Sequence, residues 1–280
     1  MAGEKYRVEL EGVPETQLWT LYHRAVEARR PDAVLDDPRA VDLVDSIGYP
    51  FAERFGTAER GLGLLQALRV KAFDAEIRRF LATHPDGTVV ALGEGLETQF
   101  WRVDNGRAHW LTVDLPESVE LRRALLPAED DRRRALAQSA LDTSWMDDLD
   151  AGRGVLITAQ GLLMYLRPPE VRGLLAACAA RFPGGGLVFD AMPRWLVTAG
   201  RRGVKDPATG YQAPEWHWSM DVSERPRLRE VHPGIQTVRA VPLPAGRGPL
   251  GLAAPLLGRV PLLNGMFPSI TYLGFATGSP

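Results

Sequence analysis

Two glycines separated by one acidic residue, Gly93-Glu94-Gly95, follow a short apolar run and precede a helical pattern. Glycine is favoured where the backbone turns sharply and where main-chain atoms must come close to a ligand. Asp114 ends the next apolar run, near the spacing of about 20 residues at which an acid meets the ribose of a bound nucleoside. The segment therefore predicts a nucleoside site, although two glycines alone are equally consistent with a plain tight turn.

Two further polar groups follow predicted strands. Asp142 comes after the third strand, just before Trp145, where its carboxylate would accept a hydrogen bond from an adenine amino group. Gln160-Gly161 ends the fourth strand. Because the carboxyl ends of parallel strands meet at one edge of a sheet, these groups together describe a nucleoside pocket.

The glycine segment also distinguishes between two classes of cofactor. A dinucleotide fingerprint needs a third glycine so that the helix can approach the strand, and this chain has Thr98 there. Glu94 and Glu97 place negative charge in the turn, which would repel a diphosphate but suit a cationic sulfonium. The pattern favours S-adenosylmethionine.

Arg69 lies on the apolar face of a predicted helix, four residues before Phe73 and eight before Ile77. A charge on a buried face needs a partner. That partner is either a nearby carboxylate, such as Asp74 of the same helix, or the methionine carboxylate of the cofactor, which the arginine fork fits well.

The elements that must position these residues follow from the hydrophobic periodicity. The N-terminal part is helical, and from residue 88 onward short apolar runs alternate with helices, which indicates a mostly parallel sheet with helices on both faces. The predicted helices span residues 15–30, 39–47, 62–84, 96–103, 117–126 and 169–182. The predicted strands span residues 89–92, 110–113, 135–140, 155–158, 187–189, 236–241 and 270–275, and a loop with a short helix covers 242–261.

This pattern predicts an α/β fold, Rossmann-like, with a seven-stranded mostly parallel sheet and an N-terminal helical cap. We expect one domain over residues 1–280. Within it, 1–85 form the cap, 86–192 the cofactor-binding core, and 193–280 a substrate-side insertion with the last strands.

Composition narrows the class of protein. The net charge is −2 and the sequence pI about 6.2, so no global charge favours nucleic acid or an anionic membrane. No apolar run approaches the roughly 20 residues of a membrane span, and no signal peptide opens the chain. A single cysteine, Cys178, sits among alanines and leaves no disulfide framework or zinc cluster. We expect a cytoplasmic enzyme without a metal, acting on a small molecule.

Taken in order, these motifs resemble the leucine carboxyl methyltransferase family, and more closely its bacterial branch of polyketide O-methyltransferases. The resemblance runs from about residue 15 to residue 192. The motifs that carry it are Leu21-Tyr22-His23-Arg24-Ala25, Asp37-Pro38, Arg69 with Phe73-Asp74, Leu92-Gly93-Glu94-Gly95-Leu96-Glu97-Thr98, Asp114-Leu115-Pro116, Leu141-Asp142 with Trp145, and Gly161-Leu162-Leu163-Met164-Tyr165-Leu166.

The resemblance implies a class I fold that binds S-adenosylmethionine, and it implies a role for each matching position. Arg24 and Arg69 would hold the cofactor carboxylate, and Gly93 and Gly95 would approach its methionine portion. Gln160 stands where the family has a glutamate that faces the cofactor amino group. The remaining positions are Glu94 in the turn, Asp114 with Leu115 at the ribose, and Leu141 with Asp142 at the adenine.

The chain departs from the family pattern at several of these places. The family commonly reads Gly-Leu-Asp-Thr-Arg, whereas here Glu97 replaces the aspartate and Gln99 the arginine. Gln160 keeps an acceptor oxygen but lacks the charge that would pair with an ammonium group. That loss predicts a cofactor affinity weaker by about 1–3 kcal/mol, part of which Glu94 would restore.

Methyl transfer from a sulfonium is an in-line displacement in which alignment is the largest expected contribution. A carboxylate nucleophile needs no base, while a phenol gains from one. The candidates for positioning or proton transfer are His23, Tyr22 and Tyr165, with a packing role as the alternative for His23. Four tryptophans are candidates for the wall of an aromatic acceptor site, of which the first two are equally consistent with the core: Trp101, Trp195, Trp216 and Trp218.

The predicted activity is O-methylation of a carboxylate or phenolic hydroxyl of a small, polyketide-like metabolite. A non-catalytic protein that binds a cofactor or metabolite on the same scaffold is an alternative, motivated by Glu97, Gln99 and Gln160. A nicotinamide-dependent oxidoreductase is a third interpretation of the glycine turn.

Overall fold

A single seven-stranded sheet organises the computed structural model, which describes residues 5–8, 10–56, 60–200, 211, 214–257 and 268–278. The strands are β1 (Thr88–Leu92), β2 (His109–Asp114), β3 (Arg133–Ala137), β4 (Val155–Ala159), β5 (Gly186–Ala191), β6 (Ile235–Val241) and β7 (Ser269–Phe275). The helices are α1 (Thr16–Ala28), α2 (Pro38–Ser46), α3 (Phe51–Phe55), α4 (Arg60–Thr83), α5 (Gln99–Val103), α6 (Pro116–Leu125), α7 (Pro168–Arg181), α8 (Arg194–Gly200) and α9 (Gly248–Leu257).

The strand order is β3-β2-β1-β4-β5-β7-β6. Strands β1 to β5 run parallel, and β7 is inserted antiparallel between β5 and β6. β1 pairs with both β2 and β4, so the chain reverses its direction of winding there. In open sheets of this kind the ligand crevice lies beyond the carboxyl ends of the strands at that reversal. The predicted fold class is confirmed.

The central strands are mostly apolar because helices cover both faces of the sheet. Every residue of β1, β4 and β5 is buried, as expected for strands without a solvent face. One face packs against α7 through a core that includes Ile157, Phe189 and Leu175. The other packs against α4 through a core that includes Phe73 and Val188.

The N-terminal helices form a cap whose core is continuous with the sheet domain. Leu18 and Leu21 of α1 belong to the same buried cluster as Leu96 of the glycine segment and Leu121 of α6. The cap therefore rests directly on the carboxyl-end loops of β1 and β2.

Two predicted boundaries move by three residues, and the helix predicted within 242–261 acquires its bounds. α5 begins at Gln99 and not at residue 96, because positive φ angles at Gly93 and Gly95 keep 93–98 in a turn. β3 spans Arg133–Ala137 and not 135–140, so Asp142 lies five residues beyond the strand. The predicted helix within 242–261 is α9, and residues 258–261 lie outside the described part of the chain.

Candidate functional site

The turn after β1 is shaped by two glycines that no other residue could replace without strain. Gly93 has φ +60° and Gly95 has φ +52°, both in the left-handed region. A Cβ on Gly93 would lie 2.9 Å from Cδ1 of Leu162, and one on Gly95 would lie 2.8 Å from Cβ of Gln17. The turn is therefore enclosed by α1 on one side and by the loop after β4 on the other.

Asp114, at the end of β2, holds the glycine turn in place through hydrogen bonds. Its Oδ2 accepts from the Gly95 N–H at 2.7 Å and its Oδ1 from the Leu115 N–H at 2.8 Å. Burial raises the pKa of Asp114. The strand-end acid and the glycine turn are thus in contact at the edge of the sheet where the sequence predicted polar groups, and the outer lone pairs of the carboxylate remain for a ligand.

Arg122 of α6 also holds the turn, and the sequence analysis missed it. Its guanidinium donates to the carbonyl oxygens of Gly95 and Glu97, the latter at 3.0 Å. It also lies 3.1 Å from the Glu94 carboxylate. The sequence contained a signal for this role, because Arg122 follows the buried Ser118 by four positions and so shares its helix face.

Glu94 was predicted to present its charge on the open side of the turn, but the structure places its carboxylate elsewhere. Its side chain is 2% exposed and accepts from Trp110 Nε1 at 3.2 Å and from the Thr112 hydroxyl of β2. Burial raises its pKa, against the lowering effect of Arg122. The carboxylate points into the layer between β2 and α6, so it cannot compensate for a charge missing at Gln160.

A buried cluster of five charges joins the cap to the turn; we call it the cap–turn charge cluster. It consists of Arg24, Asp37, Asp74, Glu97 and Arg102. Arg24 donates to Asp37 at 3.3 Å, to Glu97 at 2.9 Å and to the Leu96 carbonyl at 2.8 Å. Arg24, predicted to grip the cofactor carboxylate, thus uses these donors on the protein itself.

Arg102 supplies the guanidinium that is missing at Gln99. From the next turn of α5 it reaches Asp37 at 2.9 Å, Asp74 at 2.9 Å and Glu97 at 2.8 Å. Gln99 donates to Asp74 at 2.8 Å. Burial alone would raise the pKa of Glu97, but Arg24 and Arg102 lower it to about 2. Arg102 therefore compensates for the replacement of the family's arginine by Gln99.

Arg69 of α4 reaches the same edge of the sheet and pairs with Asp190 of β5 at 2.8 Å. Asp190 also accepts from the Gly161 N–H at 2.6 Å. The suggested partner Asp74 is wrong, because Asp74 faces Gln99 and Arg102. Within the described residues, the buried Nε of Arg69 has no hydrogen-bond partner.

Gln160 turns its amide nitrogen toward Glu97 Oε2, 3.2 Å away, and its buried Oε1 has no partner among the described residues. The same holds for the buried Oε1 of Gln17 on α1, which packs against Gly95. Among the described residues, the unpaired donor of Arg69 and the unpaired acceptors of Gln160 and Gln17 therefore border the two ends of the glycine turn, and Glu94 Oε1 is a further unpaired acceptor on the β2 side of the turn. An amino-acid zwitterion offers a carboxylate to the donor and an ammonium to the acceptors, so these residues fit the methionine portion of S-adenosylmethionine.

Leu115, predicted next to the ribose, lies on the loop after β2, and the two residues predicted at the adenine, Leu141 and Asp142, lie on the loop after β3. Leu115 is 37% exposed, and Leu141 is half-buried against the core. Asp142 is exposed and caps a short 3-10 turn by accepting from the Ser144 N–H at 3.1 Å. Trp145 is buried and donates to the Ala140 carbonyl at 3.2 Å, which fixes this loop.

Of the residues predicted for proton transfer, two are packed into the cap. Nδ1 of the buried His23 lies 2.8 Å from the carbonyl oxygen of Trp19, which can only accept, so Nδ1 carries a proton. Tyr22 stacks on Phe51, with ring centroids 5.5 Å apart, and its hydroxyl donates to the Gly56 carbonyl at 3.3 Å.

Tyr165 instead belongs to an apolar group beyond the ends of β4 and β5, which we call the acceptor-side cluster. Burial raises the pKa of Tyr165. Of the four tryptophans, Trp216 joins this cluster, while Trp101 stacks under Arg39 on the α5 side and Trp195 is 54% exposed, not core. The cluster consists of Met164, Tyr165, Met192, Leu196, Val197 and Trp216.

Residues 17–179, which include the cap, the glycine turn and the Gln160 loop, match the sequence profile of the leucine carboxyl methyltransferases. The chain belongs to this family. A tetracenomycin polyketide synthesis O-methyltransferase of Streptomyces glaucescens is 35% identical over 72% of this chain and 74% of its own length. An S-adenosyl-L-methionine-dependent methyltransferase of Gibberella zeae is 30% identical over 83% of both chains.

A solved structure of another protein shares the fold. A crystal structure from Thermobifida fusca, classed with the methyltransferases, covers 92% of this chain and 94% of its own with a TM-score of 0.56 at 17% identity. This protein is therefore a methyltransferase that uses S-adenosylmethionine, as predicted, and the alternative of a nicotinamide-dependent oxidoreductase is wrong.

Three structural findings concern metal binding, membrane insertion and the single cysteine. Among the described residues, no group of histidine, cysteine and acidic side chains is arranged to hold a metal ion. No helix in the described ranges is long and apolar enough to span a membrane. Cys178 is fully buried, and burial raises its pKa to about 12, in agreement with the predicted structural role.

Proposed function

We propose that this methyltransferase transfers a methyl group to an oxygen of a small, polyketide-like acceptor, a carboxylate or a phenolic hydroxyl. The observation that carries the proposal is the row of unpaired polar atoms on Arg69, Gln160 and Gln17, next to the acceptor-side cluster. Apolar, aromatic and methionine side chains suit a flat hydrophobic acceptor. The similarity to a tetracenomycin O-methyltransferase supports the same class of acceptor.

The cofactor roles follow from the contacts. Arg69, held by Asp190, binds the carboxylate of the methionine portion, and Gln160 and Gln17 accept hydrogen bonds from its ammonium group. Asp114 takes the ribose hydroxyls, while Leu115, Leu141 and Asp142 lie on the loops that frame the adenine. Arg24 acts as a positioning residue, because it ties Glu97 and the Leu96 carbonyl to the cap.

When bound, the cofactor supplies an electrophilic methyl group on a sulfonium. The chain's own contribution is alignment of the acceptor oxygen and exclusion of water. The raised pKa keeps Tyr165 protonated at neutral pH, so it orients the acceptor as a hydrogen-bond donor and not as a base. A carboxylate acceptor needs no base at all, which agrees with the packed positions of His23 and Tyr22.

Calorimetry with S-adenosylmethionine and its demethylated product tests the proposal. We expect both to bind, and Arg69→Met to weaken binding about tenfold to a hundredfold because a charge-assisted hydrogen bond is lost. The control is Arg29→Met, since Arg29 pairs with Asp45 at the surface of the cap. Absence of binding by the unaltered protein would refute the cofactor assignment. Turnover is then measured on a panel of aromatic carboxylates and phenols, and binding without turnover would favour a non-catalytic role.

A further inference from the structure

Arg225 is a half-buried cation that has no acidic partner among the residues that the structure describes. It lies in the 3-10 segment Val222–Glu230, and its Nε donates to the Thr271 hydroxyl of β7 at 3.0 Å. Across the described ranges, no carboxylate lies within ion-pair distance of it. The acids that precede it, Asp221 and Glu224, pair with Arg194.

A guanidinium in this environment is costly, because burial removes hydration without supplying a counter-charge. The same burial lowers the pKa of Arg225. The hydrogen bond to a neutral hydroxyl leaves the other N–H groups of the fork available. A carboxylate is the group that this fork fits best.

The position of Arg225 connects it to the acceptor side of the molecule. Thr271 pairs with Phe189 of β5, and Phe189 packs edge-to-face on Trp218 at 5.9 Å. Two residues earlier on the same face of β7 lies Ser269, which pairs with Ala191. The residue after Ala191 is Met192, a member of the acceptor-side cluster.

Ser269 provides a second, independent observation. Its Oγ is buried and has no hydrogen-bond partner among the residues that the structure describes. The unpaired hydroxyl of Ser269 thus lies two residues along the same face of β7 from Thr271, to which Arg225 donates, at the border of the acceptor-side cluster. Both groups donate hydrogen bonds, and one anion would satisfy both.

We propose that Arg225 and Ser269 form a subsite for a carboxylate of the methyl acceptor that is not itself methylated. The inference rests on the proposed function, because it assigns the group to the acceptor of that reaction. A carboxylate neutralised by a guanidinium is a weaker nucleophile, so the anchored group is distinct from the oxygen that takes the methyl. The acceptor is accordingly an aromatic acid with a second oxygen nucleophile.

The test compares two probes by calorimetry: a hydroxynaphthoic acid with its acid and hydroxyl on opposite rings, and the naphthol that lacks the acid. We expect the unaltered protein to bind the acid at least about tenfold more tightly than the naphthol, and Arg225→Gln to abolish that preference. Arg225→Lys, which keeps the charge but not the fork, should retain part of the preference. Ser269→Ala should reduce it by a smaller factor.

The matched control is Arg227→Gln, an exposed arginine on the same 3-10 segment, which should keep the full preference. Unchanged affinity for the demethylated cofactor shows that each variant is folded. The inference would be overturned if the wild-type protein showed no preference for the acid or no measurable binding of it. It would also be overturned if the Arg225→Gln variant kept the preference. The comparison is made with and without the demethylated cofactor, so its outcome is separate from a failure of cofactor binding.

Discussion

The orientation of the Gln160 amide leads to a prediction that runs against the family pattern. Restoring the glutamate that the family has at this position, Gln160→Glu, should destabilise this protein. Gln160 Nε2 lies 3.2 Å from Glu97 Oε2, and the side chain of Glu97 is 7% exposed. The substitution replaces a hydrogen-bond donor by a second buried carboxylate.

The magnitude follows from the geometry. A carboxylate shares its charge between two oxygens, so we take about 5 Å between charge centres, which at an effective dielectric constant of about 20 gives about 3 kcal/mol of repulsion. Arg24 and Arg102 have no spare charge to offset it, since these two cations already face Asp37, Asp74 and Glu97. The repulsion raises the pKa of the introduced carboxyl from about 4.3 to about 6.5.

The sign of the pH dependence follows from proton linkage. The folded variant holds the proton of the introduced carboxyl more tightly than the unfolded chain does, so its stability relative to wild type falls as pH rises between about 4.3 and about 6.5. At about pH 5 the protonated carboxyl still donates to Glu97, and the difference is small. At about pH 8 the full penalty of about 3 kcal/mol applies.

Urea unfolding of the cofactor-free protein, followed by tryptophan fluorescence at several pH values, measures this difference. Gln160→Leu is the matched control, because it removes the hydrogen bond to Glu97 at a cost of about 1 kcal/mol without adding a titrating group. Its effect should be the same at all pH values. If Gln160→Glu lost no more stability at about pH 8 than at about pH 5, the amide nitrogen of Gln160 would not face Glu97 and the reasoning would fail.

Three further predictions concern the turn and the core. Arg122→Met leaves Glu94 buried without its cation and should lower the free energy of unfolding by about 3–5 kcal/mol at about pH 8. The loss should be smaller at about pH 5, because burial raises the pKa of Glu94 and its neutral form needs no cationic partner. The double variant Arg122→Met with Glu94→Gln should recover part of the lost stability. Equal losses at both pH values would contradict this account. Gly95→Ala should cost about 1–3 kcal/mol through its positive φ and weaken binding of the demethylated cofactor in calorimetry, because the new methyl would lie 2.8 Å from Gln17 Cβ. Cys178 should resist iodoacetamide in the native protein and react in urea, as read by mass spectrometry; rapid labelling of the native state would show that the thiol is accessible.

The parts of the fold that could be predicted are those that depend on local periodicity. β1 and β4 are continuous apolar runs because both faces are covered, and each was placed within one residue at either end. β3 is only half-buried, so its pattern is weak, and its end was placed three residues too late. The antiparallel insertion of β7 between β5 and β6 depends on contacts between distant segments, which no local pattern encodes.

The same distinction applies to the site. The glycine turn and its contact with Asp114 follow from spacing along two neighbouring strands. The partner of Arg69 is 121 positions away in the sequence, on a strand that becomes its neighbour only in the folded sheet. The compensation of Gln99 by Arg102 was also missed, because it needs the cap to bring Asp37 over α5.

The attachment of the cap to the turn has a consequence for local unfolding. Separating α1 from the core would break the contact of Arg24 with the Leu96 carbonyl and leave the buried carboxylates of Asp37 and Glu97 with less counter-charge. It would also divide the apolar cluster that Leu18 and Leu21 share with Leu121. Such an opening should cost nearly as much as unfolding the whole protein, so the amides of α1 should exchange with deuterium at rates close to those of β1.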